Sequence, residues 1–182
     1  YLSPELTPPY AFYQYFINAD DQDVVKFLKY FTFLSEEAIR ELEAEVAENP
    51  AARAAQRALA REVTAMVHGE EEMARVEAAT AALFGTGDIR QADPATLKSA
   101  MESAPAATYA KDNPPDLPQI LVDLELCKSK GQARKDIRAG GVYVNTERVQ
   151  DEGFRPATDD FLGGEVLILR KGKKNYGLVM VE

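Results

Sequence analysis

Apolar positions recur at helical spacing through the first hundred residues and give way to short alternating runs near the C-terminus. After a start interrupted by Pro4, Pro8 and Pro9, the aromatics Tyr10, Phe12, Tyr13, Tyr15 and Phe16 predict a helix and its packing surface. Asp20 or Asp21 caps a helix carrying Val24, Leu28 and Phe31. Ser35 caps the next, with Glu36 and Glu37 in the first turn and Ile39, Leu42 and Val46 on one side. Asn49-Pro50 supplies a cap and a first-position proline for a long alanine-rich helix to about Phe84. That helix is broken or bent near His68-Gly69 and stopped by Gly85-Thr86-Gly87. Asp93-Pro94 opens a last short helix to about Ser103, so residues 20–104 read as an all-α bundle.

Residues 105–117 contain Pro105, Pro114 and Pro115 with few large apolar side chains, and read as a linker. The pattern resumes in residues 118–182 with a helix bearing Ile120, Leu121 and Leu124. A second, basic helix follows: Ser129 caps it, Gln132 is placed to complete a capping box, and Gly140-Gly141 end it. Its buried edge is Ala133 and Ile137. Val142 and Val144 mark a short strand, and residues 165–169 and 175–181 form a terminal hairpin. The fold class is α+β, an N-terminal helical bundle followed by a small α+β domain.

The chain's 182 residues suffice for one large or two small domains. No apolar run has the length of a membrane span and no signal segment opens the chain, which points to a cytoplasmic protein. The single cysteine, Cys127, excludes an internal disulfide framework and fits a small apolar side chain in a reducing compartment. The single histidine, His68, stands beside Glu70 and Glu71 but lacks the companions of a metal site or triad, and reads as structural.

Charge changes the picture. The net charge is −9, which argues against a nucleic-acid partner until its distribution is considered. Acids dominate up to Pro115, whereas from Asp116 the signs roughly balance and the bases bunch in two places. Lys130, Arg134 and Arg138 follow one another at i, i+4 and i+8 on the basic helix, with Lys135 beside them. Like charges at that spacing repel, and a polyanion in front of the face would relieve the repulsion. Arg170, Lys171, Lys173 and Lys174 form the second cluster at the hairpin turn. Screening confines each field to about 10 Å, so a positive face can exist on an acidic molecule. Two clusters flanking strands read as a phosphate track for RNA.

Ser-Lys-Gly-Gln-Ala-Arg-Lys-x-Ile followed by Gly-x-Val-x-Val-Asn resembles the αL RNA-binding domain named for small-subunit ribosomal protein four. With Leu-Arg-Lys-Gly-Lys-Lys-Asn-Tyr near the C-terminus, Pro-Tyr-x-Phe-Tyr-Gln-Tyr-Phe-Ile-Asn upstream and Val-His-Gly-Glu-Glu between, the chain resembles bacterial tyrosyl-tRNA synthetase over nearly its whole length. The resemblance implies that residues 1–19 leave a catalytic domain, that 20–104 contact the anticodon, and that 118–182 grip the long variable arm of tRNA(Tyr). It further implies a parent that attaches tyrosine using ATP and magnesium and works as a homodimer through its catalytic half. The eight clustered bases would be the RNA contacts, and polar or aromatic groups near Phe31 to Glu36 the anticodon contacts. No phosphate-binding glycine loop occurs, and neither class I synthetase signature is present: one histidine cannot make His-x-Gly-His, and no Lys-x-x-Lys-Ser appears. The chain is therefore expected to bind RNA without catalytic or metal residues, and without a cofactor of its own. A stand-alone αL regulator or ribosome-associated factor would share the C-terminal chemistry but leave the helical half unexplained. A protein-interaction domain whose basic helix meets an acidic partner is a further rival, as is an enzyme working through His68.

Overall fold

The computed structural model describes residues 2–4, 6–85 and 87–182, and the chain folds as two compact units, residues 1–77 and 78–182. Thr86 of the expected Gly-Thr-Gly stop and Tyr1 lie outside the described residues.

The first unit is helical: α1 (Pro9–Ile17), α2 (Asp21–Phe31), α3 (Glu36–Glu48), α4 (Ala54–His68) and the opening turns of α5 (Glu70–Phe84). Helix α4 is its centre, because its alanines let neighbours approach closely while Leu59 and Val63 reach into the core. Phe12, Val24, Leu28 and Ile39 from the other three helices meet Ala55, Leu59 and Val63 there. Ser35 caps α3 as expected, its Oγ accepting from the Ala38 amide at 3.2 Å. Asn49-Pro50, expected to open the long helix, instead opens a single 3-10 turn, Pro50–Ala52. The helix proper starts after Arg53, which stands in the left-handed region at φ 50. The reason is long-range: from there the Arg53 guanidinium donates to the carbonyls of Ile17 (2.8 Å) and Ala19 (3.1 Å). Those carbonyls lie at and just beyond the end of α1, where helical partners run out. The break near His68 is sharp, with Gly69 at φ 93 between α4 and α5. Phe31 does not join Val24 and Leu28 in the core; it is half-exposed at the end of α2, its ring near Phe16 and Phe27.

The second unit is built on a five-stranded sheet in the order β1-β5-β4-β2-β3. The strands are β1 (Ala106–Tyr109), β2 (Val142–Val144), β3 (Glu147–Val149), β4 (Val166–Lys171) and β5 (Asn175–Val181), antiparallel except for β1 beside β5. Strand β1 lies in the stretch expected as a linker, paired Ala106 to Leu178 through Tyr109 to Val181. Alternation along β4 sends Leu167 and Leu169 to one face and Val166 and Ile168 to the other, and all four are buried. The first face is covered by α7 (Leu117–Asp123) and α8 (Lys130–Arg138), which contribute Ile120, Leu121, Ala133 and Ile137. The second is covered by the end of α5 and by α6 (Pro94–Ala100), through Ala82, Leu83 and Leu97. Asp93 caps α6 through the Thr96 amide at 2.8 Å, and the helix stops at Ala100 rather than Ser103. The chain is α+β, as expected.

Candidate nucleic-acid interface

Helix α8 is anchored on three sides. Ser129 Oγ accepts from the Gln132 amide at 3.2 Å, which makes half of the expected capping box. The other half is absent, because the Gln132 side chain turns forward and donates to Asp136 Oδ1 at 2.8 Å. At the far end Gly140, at φ 71, donates to the Ile137 carbonyl and Gly141 to that of Asp136, the paired bonds of a Schellman stop. Ala133 and Ile137 are fully buried beneath. That leaves Lys130, Arg134, Lys135 and Arg138 exposed on the outer side. Lys130 Nζ lies 3.8 Å from Asp116, and Arg138 Nε donates to Glu152 at 2.7 Å. Arg134 and Lys135 form no ion pair among the described residues.

The second cluster divides three ways, because β4 runs on to Lys171 and only residues 172–174 make the turn. Lys171 points to the α8 side, where its Nζ meets Asp136 Oδ2 at 3.1 Å and donates to the Leu126 carbonyl at 2.7 Å. Burial works to raise the Asp136 pKa, but hydrogen bonds from Gln132 and Lys171 prevail and hold it below the usual carboxylate range. Cys127 donates to the same carboxylate at 3.6 Å, and burial pushes its thiol up. Arg170 points to the opposite side of the sheet, sharing that face with Ile168. Lys173 and Lys174 are exposed at the turn beside Gly172 at φ 66, with no ion pair among the described residues. The structure therefore gathers the α8 cations on one face, commits Lys171 to a staple between β4 and α8, and turns Arg170 away.

On Arg170's side the register lines up a row absent from the sequence reading: Arg148 on β3, Tyr143 on β2, Arg170 on β4 and Tyr176 on β5. The Arg170 guanidinium sits 4.0 Å from the Tyr143 ring centre, and Arg148 Nη2 donates to the Tyr143 hydroxyl at 3.0 Å. That bond, with the charge of both arginines, holds the Tyr143 pKa below its ordinary value, although burial works in the opposite direction. A signal for the first pair was present. Tyr143 alternates with the core residues Val142 and Val144, and a two-residue turn at Asn145-Thr146 sets Tyr143 opposite Arg148. Both turn residues have positive φ, 47 and 70.

His68 has no part in either surface. Its two ring nitrogens have no hydrogen-bond partner among the described residues, and its ring meets Phe12 edge-on at 5.1 Å. Burial lowers its pKa, with Glu72 pulling weakly the other way. In the segment expected to meet an anticodon, Phe33 is 91% exposed and Tyr30 69%.

Residues 96–179 match the family described as "Tyrosine--tRNA ligase SYY-like C-terminal domain", and residues 1–85 match "tRNA synthetases class I (W and Y)". The tyrosine–tRNA ligase of Corynebacterium efficiens is 47% identical over 182 residues, which is 100% of this chain and 43% of that protein. That of Streptomyces avermitilis is 48% identical over 181 residues, 100% of this chain and 42% of that protein. A solution structure titled as a tyrosyl-tRNA synthetase C-terminal domain is 33% identical, with a TM-score of 0.44, covering 53% of this chain and 96% of that one. The chain thus spans less than half the length of the curated relatives it matches.

Proposed function

The chain belongs to the tyrosyl-tRNA synthetase family, and from that premise we propose that it is a tRNA-recognition module, binding tRNA(Tyr) for a parent enzyme that attaches tyrosine using ATP and magnesium. The outer face of α8 carries this reading. It holds four cations side by side on a helix whose cap, stop and buried edge leave it no freedom to turn them away. Phosphate contacts of that kind fix the register of an RNA without reading its sequence, and the stem of a long variable arm offers such a backbone. Lys130, Arg134, Lys135 and Arg138 contact that arm from α8, Lys173 and Lys174 extend the track at the turn, and Lys171 supports α8 from beneath. The helices of the first unit meet the anticodon, with exposed Phe33 as a stacking surface. The parent works in the cytoplasm as a homodimer through its catalytic part. No helix among the described residues is long and apolar enough to cross a membrane.

The test is a salt-series titration of the full chain against tRNA(Tyr) and a tRNA with a short variable arm. Tighter binding to tRNA(Tyr), weakening steeply with salt, is the expected result. Arg134→Glu should weaken binding at least tenfold and lower the salt slope by about one. Equal affinities for the two tRNAs would remove the long-arm assignment. An unchanged slope in folded Arg134→Glu would remove α8 from the interface.

A further inference from the structure

The side of the sheet away from α8 carries a second feature with the chemistry of an RNA contact. Beside Arg170, between the β2–β3 turn, the β4–β5 turn and the end of α5, lies a depression of about 580 Å³. That volume falls within the range of small-ligand sites, roughly 300–1,000 Å³. Its walls include Arg170, Lys173, Thr146, Phe84 and Tyr176, and no carboxylate among the described residues lines it. On a chain of net charge −9, a concave surface with two cations and no acid is selective for an anion. Two aromatic rings at its edge, Phe84 and Tyr176, meet edge to face at 5.6 Å and add an apolar wall. Anion and flat ring together are what one nucleotide presents.

Arg170 supplies the plane. Its guanidinium lies over Tyr143, and Arg148 pins Tyr143 by the hydroxyl, so the group is held flat instead of sweeping the surface. A guanidinium fixed in this way offers its other face for stacking, one of the two ways in which unpaired RNA bases are gripped. We propose that this depression takes one unpaired nucleotide of the bound RNA, its base stacked on the Arg170 guanidinium and its phosphate on Lys173. Tyr143 and Arg148 are positioning residues: they act through Arg170. The proposal rests on the RNA-binding reading and adds a second contact, to an unpaired position, on the side of the sheet opposite α8.

The test uses the full chain, tRNA(Tyr) and a fully paired RNA duplex. Arg170→Lys keeps the charge and removes the plane. It should weaken tRNA(Tyr) binding about tenfold with an unchanged salt slope, and leave duplex binding as it is. Tyr143→Phe keeps the ring under Arg170 but loses the Arg148 bond and should show part of the Arg170→Lys loss, whereas Tyr143→Leu should show all of it. Lys173→Gln should lower the salt slope on tRNA(Tyr) by about one. Equal losses on duplex and tRNA in Arg170→Lys would overturn the nucleotide site and leave only a phosphate contact. No loss on either would overturn the site altogether. If Arg134→Glu still weakens binding in the same series, that failure belongs to this site alone; if it does not, the RNA reading fails first.

Discussion

Asn145 sits in the β2–β3 turn at φ 47 with 4% exposure, and three bonds explain why asparagine stands there. Its amide and side-chain oxygen close a two-way contact with the backbone of Ile168, at 2.8 and 3.0 Å, and its side-chain amide donates to the Asp160 carbonyl. Alanine would keep the backbone strain and leave the Ile168 amide short of a partner. Asn145→Ala should therefore cost about 2–3 kcal/mol in urea unfolding. His68 makes a prediction of the opposite kind. Its folded-state pKa lies below the ordinary value of 6.5, so the unfolded chain takes up the proton first as pH falls. The stability it contributes as a neutral ring is full above pH 6.5 and is lost as pH drops from there toward the folded pKa. A His68→Phe chain should lose that slope in urea unfolding between pH 7 and pH 5; an unchanged slope would assign it to the carboxylates. Both residues were visible in the sequence, Asn145 within the Val-x-Val-Asn motif and His68 as the single histidine, but their partners are 15 or more residues away or belong to another helix.

At the scale of elements, legibility followed the range of the forces involved. Helix α8 was readable because its cap, its two buried residues and its glycine stop lie within thirteen consecutive positions. The start of α4 was not, because a contact from Arg53 to the end of α1 outweighs the local preference of Asn49-Pro50 for opening a helix. Strand β1 was hidden for a similar reason: Ala106-Ala107-Thr108-Tyr109 has no strong alternation, and it is a strand because the edge of β5 is there to pair with. The eight candidate bases were legible as residues, whereas their separation onto two faces of a sheet depends on strand register. Lys171 illustrates this. Lys171→Met should lower stability by about 1 kcal/mol, since the partly buried Asp136 loses its cation, and should weaken RNA binding far less than Arg134→Glu. Chemical denaturation and the same salt-series titration measure the two effects. The Asp136 contribution is present above the ordinary value of 3.8 and disappears as pH falls through its lower folded pKa.

For the whole molecule, the division of the chain has a practical meaning. Composition suggests cutting at the prolines of residues 105–117, yet Ala82, Leu83 and Leu97 cover Val166, Ile168 and Leu178 from the N-terminal side of that stretch. A truncation beginning at residue 105 would bare one face of a sheet that is apolar on both. It should bind the dye ANS and melt well below a truncation beginning at residue 78, which retains the cover. Equal melting temperatures without dye binding would show that the cover adds nothing.

Cys127 gives a use to what is otherwise a packing detail. The chain has no tryptophan, so the usual fluorescent report of unfolding is missing. Its one thiol is 4% exposed beneath α8 and held in its neutral form by burial, which leaves it unreactive toward aromatic disulfide reagents while the fold is closed. Each molecule of reagent consumed would therefore count one opening of the core between α7, α8 and the sheet. On the proposed function, bound tRNA clamps α8 and should slow that clock, so a colour change in a cuvette would report RNA binding.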